Sequence, residues 1–195
     1  FLLRSLLEAT GTRSGLLGTV DQVAGGVTVP AVRTTPEAID LQALFAQMVA
    51  GGDAACVMEV SSHALELHRA DAIHWAVAVF TNLTRDHLDF HPTMEAYFLA
   101  KRRLFTAAPG TRIVNVADPY GRRLAEEFPG TVTVGIDSAD ATLRATGVQT
   151  GLEGSTFTAG GREWQTALPG RFNVLNALCA VAACRALGAG DEALA

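Results

Sequence analysis

A chain of 195 residues, 49% apolar and 18% charged, can bury the core of one domain, or of one domain with fragments of its neighbours. Its net charge of −5, with no Lys/Arg run longer than Lys101-Arg102-Arg103, gives no support to nucleic-acid binding. Cys56, Cys179 and Cys184 form no C-x-x-C pair and are expected as buried free thiols in a reducing cytoplasm, and no apolar run reaches the roughly 18 residues that span a membrane.

FLLRSLLEAT has apolar residues at 2, 3, 6 and 7, so it predicts a helix stopped by Gly11. No initiator Met and no Ser, Thr, Asp or Asn cap stands before it, and GAGDEALA breaks off without a domain terminus; a piece cut from a longer protein is expected. SGLLGTV (14–20) reads as a short buried strand, and DQVAGGVTVPAVRTT as a hairpin or loop. Thr35-Pro36-Glu37 opens a helix that Thr35 can cap, with apolar residues at 39, 41, 44, 45, 48 and 49. DAACVMEVSS (53–62) predicts a strand turning polar, followed by a short helix, HALELHR. IHWAVAVFTNL (73–83) predicts a central strand buried on both faces. A helix over 93–108, a strand at RIVNVAD, a helix at YGRRLAEEF and a strand at TVTVGID follow. Residues 141–168 alternate between Gly turns, as an antiparallel β appendage would, and FNVLNALCAVAACRALG is a last helix. Strand alternating with helix predicts an α/β fold, with a mostly parallel sheet covered by helices on both faces plus the appendage.

Ligands of open α/β sheets sit beyond the carboxyl ends of strands. Two strands end in polar sequence there: Glu59-Val60-Ser61-Ser62-His63 and Thr81-Asn82-Leu83-Thr84-Arg85-Asp86-His87. If these strands are neighbours, Glu59 and His87 share a crevice, and a carboxylate with an imidazole suits a divalent cation. Taken alone, each is more often a solvated side chain. No H-E-x-x-H, Cys/His zinc spacing, G-x-S-x-G, G-x-G-x-x-G or G-x-x-x-x-G-K-[ST] occurs. The residues by themselves stop at an α/β domain with a possible metal crevice.

TTPEAIDLQ, MEVSSHALELHR, FTNLTRDHLDFH, a helix carrying Ala100-Lys101, and LPGRFNVLNALCAV resemble, in this order, the central domain of the Mur ligases. The similarity is greatest to the UDP-N-acetylmuramoyl-tripeptide synthetase (MurE) type and covers nearly the whole chain. It implies a P-loop-type sheet over residues 1–195, cut short at its N-terminus. The phosphate loop, an N-terminal UDP-binding domain and a C-terminal amino-acid domain are expected outside it. The implied reaction is ATP-dependent addition of a diamino acid to UDP-MurNAc-L-Ala-D-Glu in cytoplasmic peptidoglycan synthesis, through an acyl phosphate, with ATP and Mg²⁺ required. A monomer is expected, with neither membrane nor nucleic-acid partner, and without its phosphate loop the isolated chain is expected to be inactive.

By the same resemblance Glu59 and His87 are metal ligands, and Lys101 is a lysine carbamylated by CO₂ into an anionic oxygen ligand. Carbamylation needs the neutral amine, so Lys101 must sit where its pKa can fall. Thr34, Thr35, Ser61 and Arg69 match contacts to the UDP-MurNAc-dipeptide, and Asn176 matches an asparagine near the adenine. Asp86, Asp89 and His91 read as loop-holding residues. Two positions depart from the family pattern: Leu67 stands where some members carry Gln, and Arg33 where Asn is frequent. The alternatives are a related ligase of the superfamily, a folylpolyglutamate or cyanophycin synthetase, and a non-catalytic nucleotide-binding module. The choice between meso-diaminopimelate and L-lysine belongs to the C-terminal domain.

Overall fold

A computed structural model describes residues 1–108, 110–190 and 192. The tail GAGDEALA therefore falls partly outside the described residues. The chain divides into two compact units, one built mainly from residues 3–74 and 85–107, the other from 75–84 and 108 onward.

The first unit opens with α1 (Leu2–Ala9), which has no side-chain cap, as its sequence foretold. Arg4 Nε donates to the Ser14 carbonyl and Glu8 accepts from the Ser14 N–H, fastening α1 to β1 (Ser14–Leu17). All four β1 residues are buried. β1 pairs antiparallel with β2 (Asp21–Ala24) and parallel with β4 (Ala55–Met58), in register Ser14↔Ala55 to Leu17↔Met58. β2 turns into β3 (Val27–Pro30) through Gly25-Gly26, both at positive φ, the conformation a two-residue hairpin loop demands. α2 (Ala38–Ala50) packs Leu41 and Met48 onto Leu17 and Ala24. A Cβ on Gly51 would lie 2.2 Å from the Gly25 Cα, so the helix end and the hairpin turn fit only as glycines. Below them, Asp53 accepts from the Gly25 N–H at 2.8 Å and pairs with Arg13 at 3.0 Å. α3 (Ser62–Glu66) and α4 (Met94–Ala107) complete this unit.

The second unit is a six-stranded sheet in the order β10-β9-β8-β7-β6-β5. β5 (Val77–Phe80), β6 (Thr111–Asn115), β7 (Val132–Ile136) and β8 (Leu143–Gly151) run parallel. β9 (Gly154–Ala159) and β10 (Arg162–Thr166) continue antiparallel. α5 (Pro119–Glu127) is capped by Asp118, which accepts from Tyr120 N–H at 2.8 Å and also from Leu83 N–H at 2.9 Å. α6 (Arg171–Ala186) buries Val174 and every residue from Ala177 to Cys184 and packs along the sheet from β5 to β9.

The α/β class is borne out, with four corrections of detail. The strand expected to be central, β5, is an edge of its sheet, and β4 and β5 belong to different sheets, so they are not hydrogen-bonded neighbours. The antiparallel stretch joins the parallel sheet through β8, which pairs with β7 on one side and β9 on the other. Thr35 does not cap α2; the helix begins later, at Ala38 after Glu37. Pro36 disfavours helical backbone at residue 35, and the Thr35 hydroxyl is engaged elsewhere. Cys179 and Cys184 are buried free thiols as expected, but Cys56 is exposed, on a β4 that pairs on one side with β1.

Candidate active site

Both groups of residues that matter lie in the first unit. One gathers where β4 ends. The Glu59 N–H donates to the Leu17 carbonyl at 2.8 Å, prolonging the β1–β4 pairing by one residue and turning the Glu59 side chain out at the strand's carboxyl end. Thr35 is 1% exposed, and its hydroxyl donates to the Glu59 carbonyl at 2.8 Å while accepting from the Ser61 N–H at 3.0 Å. A single buried hydroxyl thus locks the segment before α2 to the segment after β4. Ser61 caps α3, its Oγ accepting from Ala64 N–H at 3.1 Å. Arg69 reaches back from beyond α3, with Nη1 at 3.4 Å from the Thr35 carbonyl and Nε at 3.0 Å from a Glu37 carboxylate oxygen. The other Glu37 oxygen pairs with Arg33, so one carboxylate holds two guanidinium groups. Thr34 lies beside Thr19, and Thr19 donates to Glu59 Oε2 at 2.6 Å.

The second group joins α3, α4 and the loop between residues 85 and 93. His87 adopts φ +54°, a left-handed conformation costly for a non-glycine residue, and its N–H donates to the Asp86 carboxylate at 2.8 Å. Its ring meets His63 edge-on at 4.9 Å and Tyr97 at 5.8 Å. His91 is 3% exposed, stacks on Tyr97 at 5.0 Å and has Nε2 at 2.9 Å from the Ser62 hydroxyl. Lys101 lies one helical turn after Tyr97 on α4, with Nζ 5.3 Å from the Tyr97 ring centroid. Burial lowers the Lys101 pKa, which raises the share of neutral amine. His63 and His91 are also held below the usual histidine range, chiefly by burial, and burial pushes Tyr97 up.

The structure therefore brings Thr34, Thr35, Ser61, Arg69 and Glu59 into one bonded set. It gathers His87 and Lys101 separately around Tyr97. The two sets meet in sequence at Ser61-Ser62, where one serine serves each. His87 reaches its place through the α3–α4 contacts rather than as the end of a strand beside β4. Asn176 lies on α6 in the second unit, half-buried, its amide 3.4 Å from Asn173. Tyr97, Glu37 and Thr19 were missed from sequence. Thr19 alone carried a signal, as a hydroxyl directly after the buried strand and Gly18.

Among the described residues no three His, Cys, Asp or Glu side chains gather as a metal centre. The Glu59 carboxylate at the end of β4, held by Thr19, is a hard oxygen donor of the kind Mg²⁺ takes. Gly18 leaves room for that carboxylate, because a Cβ there would stand 3.0 Å from Glu59 Oε1.

A family profile described as Mur ligase middle domain matches residues 2–184. The chain belongs to the Mur ligase middle-domain family. It is 47% identical over 196 residues to the UDP-N-acetylmuramoyl-L-alanyl-D-glutamate–2,6-diaminopimelate ligase of Streptomyces coelicolor. To the ligase of the same name from Geobacter metallireducens it is 42% identical over 206 residues. These alignments take in 95% and 100% of this Mur ligase domain but 38% and 40% of the relatives, so it spans about two fifths of their length. A solved structure of a ligase with that name superposes at TM-score 0.84 and 28% identity, over 99% of this chain and 41% of the other. MurF from Acinetobacter baumannii, at TM-score 0.75 and 18% identity over 99% and 41% of the two chains, shares the fold. No described helix is long and apolar enough to cross a membrane.

Proposed function

We propose that this domain serves an ATP-dependent amide ligase that adds 2,6-diaminopimelate to UDP-MurNAc-L-Ala-D-Glu in cytoplasmic peptidoglycan synthesis. The observation that carries the reading is the bonded set Thr34, Thr35, Ser61, Arg69 and Glu59 at the end of β4. Residues that the family resemblance assigns separately to substrate and metal are here one hydrogen-bonded structure. The diamino acid follows the names of the two curated relatives.

In this reading a substrate carboxylate oxygen attacks the γ-phosphorus of ATP and ADP leaves. The amine of the diamino acid then attacks the acyl carbon, loses a proton, and phosphate departs. Both reacting partners of the first step are anions, so the site must hold them together against repulsion. Arg69, fixed by Glu37 and the Thr35 carbonyl, presents a planar cation suited to a substrate carboxylate or phosphate. Ser61 and Thr34 would make further contacts to the same substrate. Glu59, His87 and a carbamylated Lys101 would hold Mg²⁺, which when bound supplies the positive charge that the phosphoryl group needs. Burial of Lys101 lowers its pKa and so favours the neutral amine that CO₂ requires. Asn176 would meet the adenine.

The test uses the full-length protein with ATP, UDP-MurNAc-L-Ala-D-Glu and radiolabelled diamino acids. Label from diaminopimelate is expected in the UDP-sugar peptide, with stoichiometric release of phosphate. Transfer onto a folate or an aspartate polymer, and none onto the UDP-sugar peptide, would overturn the proposal.

A further inference from the structure

We infer that Thr19 is a positioning residue that couples Glu59 to Thr34 and fixes which way the Thr34 hydroxyl points, an inference that rests on the function proposed above. Its hydroxyl donates to Glu59 Oε2 at 2.6 Å and lies 3.2 Å from the Thr34 hydroxyl. Neither the composition nor the family motifs mark this residue.

Proton counting gives the direction. An ionised carboxylate can only accept, and a hydroxyl has one proton to give. Thr19 gives its proton to Glu59, so in the Thr19–Thr34 pair Thr34 must be the donor. Thr34 then has no proton left for a ligand, and only its lone pairs face outward. Its substrate partner must therefore be a donor, an amide N–H or a sugar hydroxyl, and not a phosphate or carboxylate oxygen. The anionic parts of the substrate fall to Arg69. The two neighbouring contacts thus divide the substrate by chemistry.

The backbone holds Thr19 for this role. Gly18 N–H donates to the Asp21 carbonyl at 3.1 Å, closing the turn that carries Thr19 at its tip. Ala31 N–H donates to the Val20 carbonyl at 2.9 Å, tying the next residue to the segment that leads to Thr34. On the other side of the carboxylate, any Cβ at Gly18 would press on Glu59 Oε1 at 3.0 Å. One oxygen of Glu59 is thus anchored by Thr19 and the other is left uncrowded, as a ligand oxygen must be.

The experiment compares Thr19→Val, which keeps the shape and removes the hydroxyl, with Thr19→Ser, which keeps the hydroxyl. Both are made in the full-length protein. Mn²⁺ affinity is read from the electron paramagnetic resonance signal of the free ion, and the KM for UDP-MurNAc-L-Ala-D-Glu from ligation. Thr19→Val is expected to weaken Mn²⁺ binding by about 10- to 100-fold, the usual loss when a partner that orients a metal ligand is removed. It should raise the dipeptide KM by about two- to tenfold, the effect of one hydrogen bond between neutral groups. Thr19→Ser should stay within about twofold of the native protein on both measures. The inference is overturned if Thr19→Val, melting like the native protein, binds Mn²⁺ with native affinity. It is equally overturned if Thr19→Ser is as impaired as Thr19→Val, since packing would then be the cause. A native protein that binds Mn²⁺ in a Thr19-dependent way yet ligates nothing would leave the coupling standing and remove the proposed function.

Discussion

The two units of this chain are held together by different means. In the second, α6 buries an unbroken run from Ala177 to Cys184 against parallel strands whose centres, Ile113, Val114 and Val134, are fully buried. In the first, the ends of short strands are tied by side chains to backbone: Thr35 to Glu59 and Ser61, Asp53 to Gly25, Glu8 to Ser14. Apolar burial is non-directional and tolerates exchange of shape, whereas a tie through one hydroxyl places one atom in one position. The unit built by directional ties is the one that carries the candidate chemistry.

The largest expected effect falls on that chemistry. Lys101→Ala in the full-length protein should reduce ligation by about 10²- to 10³-fold, the scale of losing one preorganised electrostatic group. Short carboxylates added to the assay should restore part of it by standing in for the oxygens of the proposed carbamate. Because Lys101 is half-buried against Tyr97 and not packed in a core, the melting temperature should barely move. Undiminished turnover would remove the carbamate role.

The opposite pattern is expected in the second unit. Leu178 is 0% exposed, and Leu178→Ala should cost about 2–5 kcal/mol in a denaturant melt. Phe172, on the same helix but 67% exposed, should cost about 0.5 kcal/mol or less when made Ala. Similar costs at the two positions would mean that α6 is not the core element described here.

The same contrast decides what could be read from sequence. Helical spacing and apolar runs placed α6, α4 and β1, and α2 apart from its first turn, because burial leaves a periodic trace. The pairing of strands leaves none. The near-continuous apolar run at 73–83 looked central, yet β5 is a sheet edge, since apolarity reports burial and not hydrogen-bonded neighbours. Of the candidate site, Glu59 and His87 were visible as polar residues following apolar strands, but their roles came from resemblance. Tyr97 was hidden in the apolar stripe of α4, and Glu37 looked like an ordinary acidic residue in a first helical turn. Only the fold shows that Tyr97 gathers two histidines and Lys101, and that Glu37 holds two arginines.

Glu37→Gln probes a smaller effect within the first unit. The amide keeps the shape and loses the charge that fixes Arg69. The KM for the UDP-sugar dipeptide should rise by about tenfold with kcat nearly unchanged, as for a contact made equally in ground and transition states. Arg33, 56% exposed in its side chain, shares the same carboxylate. Arg33→Ala should therefore change the KM by about twofold at most, in line with an exposed ion pair. A larger effect from Arg33 than from Glu37 would make Arg33 the substrate contact and Arg69 its support.

The smallest effect is the most local. His91 is buried, bonded to Ser62 and held below the ordinary histidine pKa, mainly by burial and then by neighbouring His63. A histidine whose folded pKa is depressed binds its proton more readily in the unfolded chain, so stability is full above the unfolded value, about 6.5, and declines as pH falls below it. His63 shifts the same way and adds to the slope. From about pH 7.5 down to pH 5.5, the amides of α3 and α4 should lose protection relative to their intrinsic exchange rates. The two tryptophans, Trp75 and Trp164, both lie in the second unit, so their fluorescence should stay constant over that range. His91→Phe keeps a ring on Tyr97 and removes the proton site, so it should flatten the pH dependence without abolishing the part due to His63. A tryptophan signal that moves together with α3 and α4 would show that the two units, for all their difference in construction, lose structure as one.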